Sequence, residues 1–140
     1  MDEPEGTLSI ALCSGTDDKL TAAALLAVGA VATGRKVDVL LQYWALEAFR
    51  AGHLTKDHGY APEASAEGVE GIGRLLAAGR AEHWSRTLAQ AKELGEVRIH
   101  ACSLSMDAFG LTRDDLDPLV DDVEGVTAFM LEATGAPVFI

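Results

Sequence analysis

The fold class this sequence predicts is α/β, one domain over residues 1–140 with a mostly parallel sheet, and three observations predict it. Short apolar runs of strand length alternate with longer stretches of helical periodicity. Glycines stand where two of those helical stretches should stop, at Gly34 and Gly95. The run Val37 to Gln42 is nearly unbroken in apolar character, as in parallel strands covered on both faces.

Taken in order, Thr7 to Cys13 reads as a buried strand with Leu8, Ile10 and Leu12 on one face. Ser14-Gly15-Thr16-Asp17 supplies turn and N-cap chemistry. Asp17 to Thr33 reads as a helix with Leu20, Ala24, Ala27, Val28 and Val31 in one stripe. Val37 to Gln42 completes a strand–helix–strand unit, and such units are right-handed almost without exception. A short helix is expected from Tyr43 to about Ala51. From Gly52 to Gly79 the glycines at 59, 68, 71, 73 and 79 and Pro62 weaken the pattern, so we expect a long excursion with one helical turn near Ile72 to Ala78. Arg80 to Leu94 reads as a helix with Trp84, Leu88, Ala91 and Leu94 on one face. Val97 to Cys102 is a strand, Ser103 to Phe109 a short helix or turn, and Thr112 to Asp115 starts another helical piece. A brief strand near Asp122 to Glu124, a helix from Gly125 to Ala133 and a strand from Pro137 to Ile140 close the chain. Strands alternating with helices place helices on both faces of the sheet.

Composition narrows the function classes. The formal net charge of −11 repels phosphate backbones and anionic lipid, which argues against nucleic-acid and membrane partners. Alanine and aliphatic side chains dominate the 49% hydrophobic content, with 6% aromatics, a mix that suits helices lying close on a sheet. The longest apolar run, Ala22 to Ala32, is too short to span a bilayer. Met1 to Gly6 is acidic and has no basic n-region, so no secretory signal is expected and the compartment expected is the cytoplasm. There Cys13 and Cys102 should be thiols.

Ligands of such sheets bind beyond the carboxyl ends of the strands. Two segments meet that criterion, Cys13 to Thr16 and Cys102 to Asp107. Cys102 closes a strand and precedes a helix, where free N–H groups and the macrodipole favour a thiolate. Ser103 and Ser105 offer hydroxyls to that anion, and Asp107 either opposes it or caps the helix. Strand alternation puts Arg98, His100 and Cys102 on one face, so His100 is a neighbour that could tune the thiol. The plainer alternatives are a packed cysteine and a satisfied core histidine. Cys13 is either a second, resolving thiol or a small apolar strand residue. Ser14, Gly15, Thr16 and Lys19 form either an anion-binding turn or an ordinary helix start, and neither a P-loop nor a dinucleotide fingerprint is present. His53, Asp57 and His58 make a poor metal motif, so no metal and no cofactor is expected.

Three segments together resemble one family. They are Ser9 to Lys19 (SIALCSGTDDK), Val37 to Trp44 (VDVLLQYW) and Ile99 to Asp107 (IHACSLSMD). Their order and content look like the DsrE/DsrF-like family, and the likeness extends over nearly the whole chain, with the Ala101-to-Asp107 element its most specific part. The resemblance implies a three-layer α/β/α sandwich with a five-stranded mostly parallel sheet. It implies an intracellular sulfur carrier or sulfurtransferase, with Cys102 carrying a persulfide between donor and acceptor proteins. It also implies a homo-oligomer, a trimer or hexamer, and Tyr43, Trp44 and Phe49 are the apolar side chains that could serve an interface. Cys13 stands where an aromatic or aliphatic residue is commoner in that family. The alternative reading is a non-catalytic ligand-binding or assembly module in which Cys102 is packed. A third is a redox sensor pairing Cys13 with Cys102, which needs their Cα atoms within about 7 Å.

Overall fold

The computed structural model describes residues 6–140. Met1 to Glu5, most of the acidic stretch read above, lie outside them. Five strands form one all-parallel sheet: β1 (Thr7–Leu12), β2 (Lys36–Leu41), β3 (Val97–Cys102), β4 (Asp122–Glu124) and β5 (Val138–Phe139), in the order β4-β3-β2-β1-β5. The helices are α1 (Asp17–Ala32), α2 (Tyr43–Ala48), α3 (Ala66–Ala77), α4 (Trp84–Leu94), α5 (Ser103–Phe109) and α6 (Val126–Glu132). The predicted α/β class with a five-stranded parallel sheet is the observed one. Among the described residues no helix is long and apolar enough to cross a membrane.

The register sorts the strands into two unlike faces. Ile10, Leu12, Val37, Val39, Leu41, Val97, Ile99 and Ala101 share one face and are buried against α1 and α4. The small residues Ala23, Ala24, Ala27 and Ala30 of α1 let that helix lie close to the strands. Val28 and Val31, expected in the buried stripe, flank it and are only partly covered. The second face carries Ser9, Ala11, Asp38, Leu40, Arg98, His100, Cys102, Asp122 and Glu124, paired across the strands. Helix α6 lies over it against β2 and buries one side chain, Phe129, beside Ala11, Leu40 and Cys102.

Two glycines act as expected or for a different reason. Gly34, at φ 83°, ends α1 in a Schellman turn, with Gly34 N–H donating to Val31 O and Arg35 N–H to Ala30 O. Gly95 follows α4 in extended backbone instead, and a Cβ there would press on the Val31 side chain. It is needed for close approach between helices, not for handedness.

The central excursion departs most from expectation. A three-turn helix, α3, occupies Ala66 to Ala77 where one turn near Ile72 to Ala78 was expected. Ser65 caps it, its Oγ accepting from Gly68 N–H, and that cap offsets the glycines inside. Helix α4 begins at Trp84, not Arg80, because His83 Nδ1 accepts from Ser85 N–H and defines the start. Leu94 is 71% exposed and leaves the buried stripe of Trp84, Leu88 and Ala91. Phe49, expected at a surface, is 1% exposed and stacks on Trp84 at 5.2 Å between ring centroids. Tyr43 and Trp44 remain exposed.

Candidate functional site

Cys102 ends β3 and stands at the N-cap position of α5. Alternation along β3 turns its side chain onto the second face, where it is 2% exposed among Ala11, Leu40 and Phe129. The sulfur makes no capping hydrogen bond to α5, contrary to the expectation that free N–H groups would hold it.

The residues expected to support Cys102 are employed elsewhere. Ser105 is buried and its Oγ accepts from Tyr43 N–H at 3.0 Å. That bond steadies Tyr43, which sits at φ 46° in the left-handed region uncommon for a bulky side chain. Ser103 is exposed and faces Gly125. Asp107 is exposed within α5 and caps nothing. Cys13 follows β1, its N–H donating to Ile140 O and its carbonyl accepting from Ala45 N–H. Both cysteines are free thiols. Cys13 stands just past β1 and Cys102 ends β3, with β2 between the two strands, so about two strand spacings, roughly 9.6 Å, separate those strands. That spacing is wider than the Cα separation a disulfide bridges.

The turn Ser14-Gly15-Thr16 lines a cleft of about 420 Å³ at the carboxyl end of β1, together with Trp44, His53 and His58. Gly15 is required because a Cβ would collide with the Trp44 carbonyl. The anion-turn expectation meets two obstacles. Asp17 and Asp18 already place negative charge in the first turn of α1. Burial raises the Asp18 carboxyl, but hydrogen bonds from Thr16 and from the Ala61 and Lys19 amides outweigh it and hold the group below its ordinary range. Lys19 does not join the turn; its ammonium pairs with Glu63 at 3.9 Å on the surface.

His100 is the centre of an arrangement that sequence reasoning missed. Its side chain is 4% exposed, and both ring nitrogens face carboxylates. Nε2 lies 3.0 Å from Asp38 Oδ1, and Nδ1 lies 2.5 Å from Asp122 Oδ1 and 3.1 Å from Glu124 Oε2. Burial disfavours the charged ring, but the hydrogen bonds to Asp38 and Asp122 and the nearby charges outweigh it, so His100 titrates above its ordinary value. Glu124 Oε2 is buried and lacks a hydrogen-bond donor, because the single Nδ1 proton points to Asp122. Burial, followed by the charges of Glu132, Asp122 and Asp38, pushes the Glu124 carboxyl up, with His100 acting in the opposite sense. His100 therefore serves this cluster and not Cys102. The signals for it were present: Asp38 interrupts an apolar strand, and Asp122-Val123-Glu124 alternates.

No protein-family model matches this chain. The uncharacterized protein YrkE of Bacillus subtilis is 29% identical, across 95% of this chain and 94% of that one. The structure of a protein of unknown function, MTH1491 of Methanobacterium thermoautotrophicum, superposes with a TM-score of 0.53 at 19% identity, covering 97% of this chain and 98% of that one. These likenesses bear on the fold and carry no activity.

Proposed function

We propose that this chain is a sulfur-relay domain of the DsrE/DsrF-like kind, with Cys102 as the carrying thiol. The single observation that carries the reading is the place of Cys102, at the carboxyl edge of a central strand in the Ala101-to-Asp107 element and beneath a cover held by one side chain, Phe129. In the closed form that cover excludes a visiting thiol, so transfer requires α6 to lift.

The exchange needs no external oxidant or reductant. The Cys102 thiolate attacks the outer sulfur of a donor persulfide, R–S–SH. The donor S–S bond breaks, R–S⁻ leaves, and Cys102–S–SH remains with the proton on the outer sulfur. An acceptor thiolate then repeats the attack and expels the Cys102 thiolate. The partners this implies are a donor and an acceptor protein, and the family likeness adds a homo-oligomer.

The test is mass spectrometry after incubation with a persulfide donor. The expected result is a +32 Da adduct (one sulfur atom, by atomic mass), lost in Cys102→Ser and kept in Cys13→Ser. The second reading, a binding or assembly module with a packed cysteine, is favoured by the 2% exposure of Cys102 and the absence of any capping bond to its sulfur. It predicts slow alkylation, no adduct from any donor, and no effect of Cys102→Ser on function.

A further inference from the structure

From the geometry around His100 we propose a divalent transition-metal site formed by His100, Asp122 and Glu124, with Zn²⁺ the ion it fits. This site is independent of the sulfur relay. Nδ1 of His100 and one carboxylate oxygen from each acid lie within 4.8 Å of one another. The sequence builds this constellation by strand periodicity. His100 pairs with Asp122 across parallel strands, and Glu124 follows two residues later on the same face.

Three features point beyond a buried ion pair. First, charge is uncompensated. Asp38, Asp122 and Glu124 surround one imidazole, and among the described residues no lysine or arginine bridges any of them. Even an imidazolium leaves two negative charges over, which a divalent cation placed against Nδ1 would answer. Second, Glu124 Oε2 is buried with no donor, and a cation satisfies it where the single Nδ1 proton cannot serve both acids. Third, the outer shell is already built. Nε2 of His100 faces Asp38 Oδ1 at 3.0 Å, and a proton held there leaves the Nδ1 lone pair aimed at Asp122 and Glu124. That is the carboxylate–histidine–metal arrangement that orients metal-binding imidazoles.

One nitrogen and two carboxylate oxygens suit a borderline ion such as Zn²⁺, with a water completing a tetrahedron. Ligand atoms about 2.1 Å from zinc stand about 3.4 Å apart in a tetrahedron. The 3.1 Å between Nδ1 and Glu124 Oε2 is near that spacing. The 2.5 Å hydrogen bond from His100 to Asp122 must open by just under 1 Å as its proton leaves. Asp122 is the ligand free to move, with a side chain 39% exposed, and it also gives the ion a route in.

The experiment uses the full chain, stripped with EDTA and dialysed, titrated with Zn²⁺ by calorimetry at pH 7. The expected result is one saturable site per chain. Glu124→Gln and Asp122→Asn should each weaken it at least 10-fold, and Asp38→Asn by about 10- to 100-fold through loss of the outer shell. Cys102→Ser and Cys13→Ser should bind as the parent does, and Co²⁺ should load without the near-ultraviolet charge-transfer band of a thiolate ligand. In the metal-free state Glu124→Gln should melt no lower than the parent, since it removes an unpaired buried acid. Asp122→Asn, at a partly exposed position, carries the test if Glu124→Gln fails to fold. The proposal is overturned by no saturable Zn²⁺ binding, by binding that survives Asp122→Asn unchanged, or by a thiolate band. A persulfide adduct on Cys102 with no Zn²⁺ binding would sink this proposal and leave the relay standing; the reverse pair of results would do the opposite.

Discussion

The two faces of this sheet come from the same strands, one residue out of phase, yet they differ in kind. Under α1 and α4 the face is aliphatic, with Ile10, Leu12, Val39, Leu41 and Ile99 all buried. Under α6 it holds an imidazole, three carboxylates, a thiol and a buried serine hydroxyl, Ser9 Oγ, that also lacks a partner. The first face has what stability needs: close contacts and nothing to solvate. The second keeps polar groups that cost free energy to cover, and α6 anchors there by Phe129 alone. The polar and nucleophilic groups of the sheet thus lie on the second face, and the first has none.

The comparison can be broken by mutation. Leu41→Ala, at a fully buried position on the aliphatic face, should cost about 2–5 kcal/mol in a urea or thermal unfolding experiment. Phe129→Ala should lower global stability less, because α6 can detach without dissolving the main core. Its main effect should be on access, with iodoacetamide alkylation of Cys102 rising about 10-fold for each 1.4 kcal/mol taken from α6 docking. Equal loss of stability from both variants, with alkylation unchanged, would show that α6 is part of the same cooperative unit and not a lift-off cover.

A third, smaller effect is pH dependence, which only the second face can supply. The groups facing His100 are Asp38 from β2, Asp122 and Glu124 from β4, and Glu132 from α6 contributes through Glu124. His100 and Glu124 both titrate above their ordinary values in the fold. A raised folded value gives stability below the unfolded value and loses it as pH rises through the folded one. In chelator, stability from this cluster should therefore fall as pH climbs, first above the ordinary glutamate value of 4.5 and then above the ordinary histidine value of 6.5. Thermal melts from pH 4 to 9 check it, and Glu124→Gln should remove the lower part of the slope. A melting profile identical in both proteins would show that Glu124 does not titrate in this window.

Much of the fold was legible because it rests on local periodicity. The bounds of β3 and β4 were read from strand patterning, and α5 occupies the stretch expected as a short helix or turn. The region from Gly52 to Gly79 was not legible, because Gly68, Gly71 and Gly73 mask a helix whose apolar side, Ile72, Leu75 and Leu76, borders a cleft shared with Leu25 and Trp84. The site was half legible. The residue types at 100 and 102 drew attention, and their shared face was read from alternation. Their partners were not readable, since Asp38 and Phe129 lie far from them in the chain.

What the sequence determined by itself is the order of most strands and helices and the α/β class, because these depend on spacing along the chain. What only the tertiary structure decided is the company each side chain keeps. Strand order brought Asp38, Asp122 and Glu124 to His100, and set Phe129 over Cys102. Those encounters are fixed by register and packing between segments distant in sequence, and period-two alternation states a side chain's face but never its neighbour.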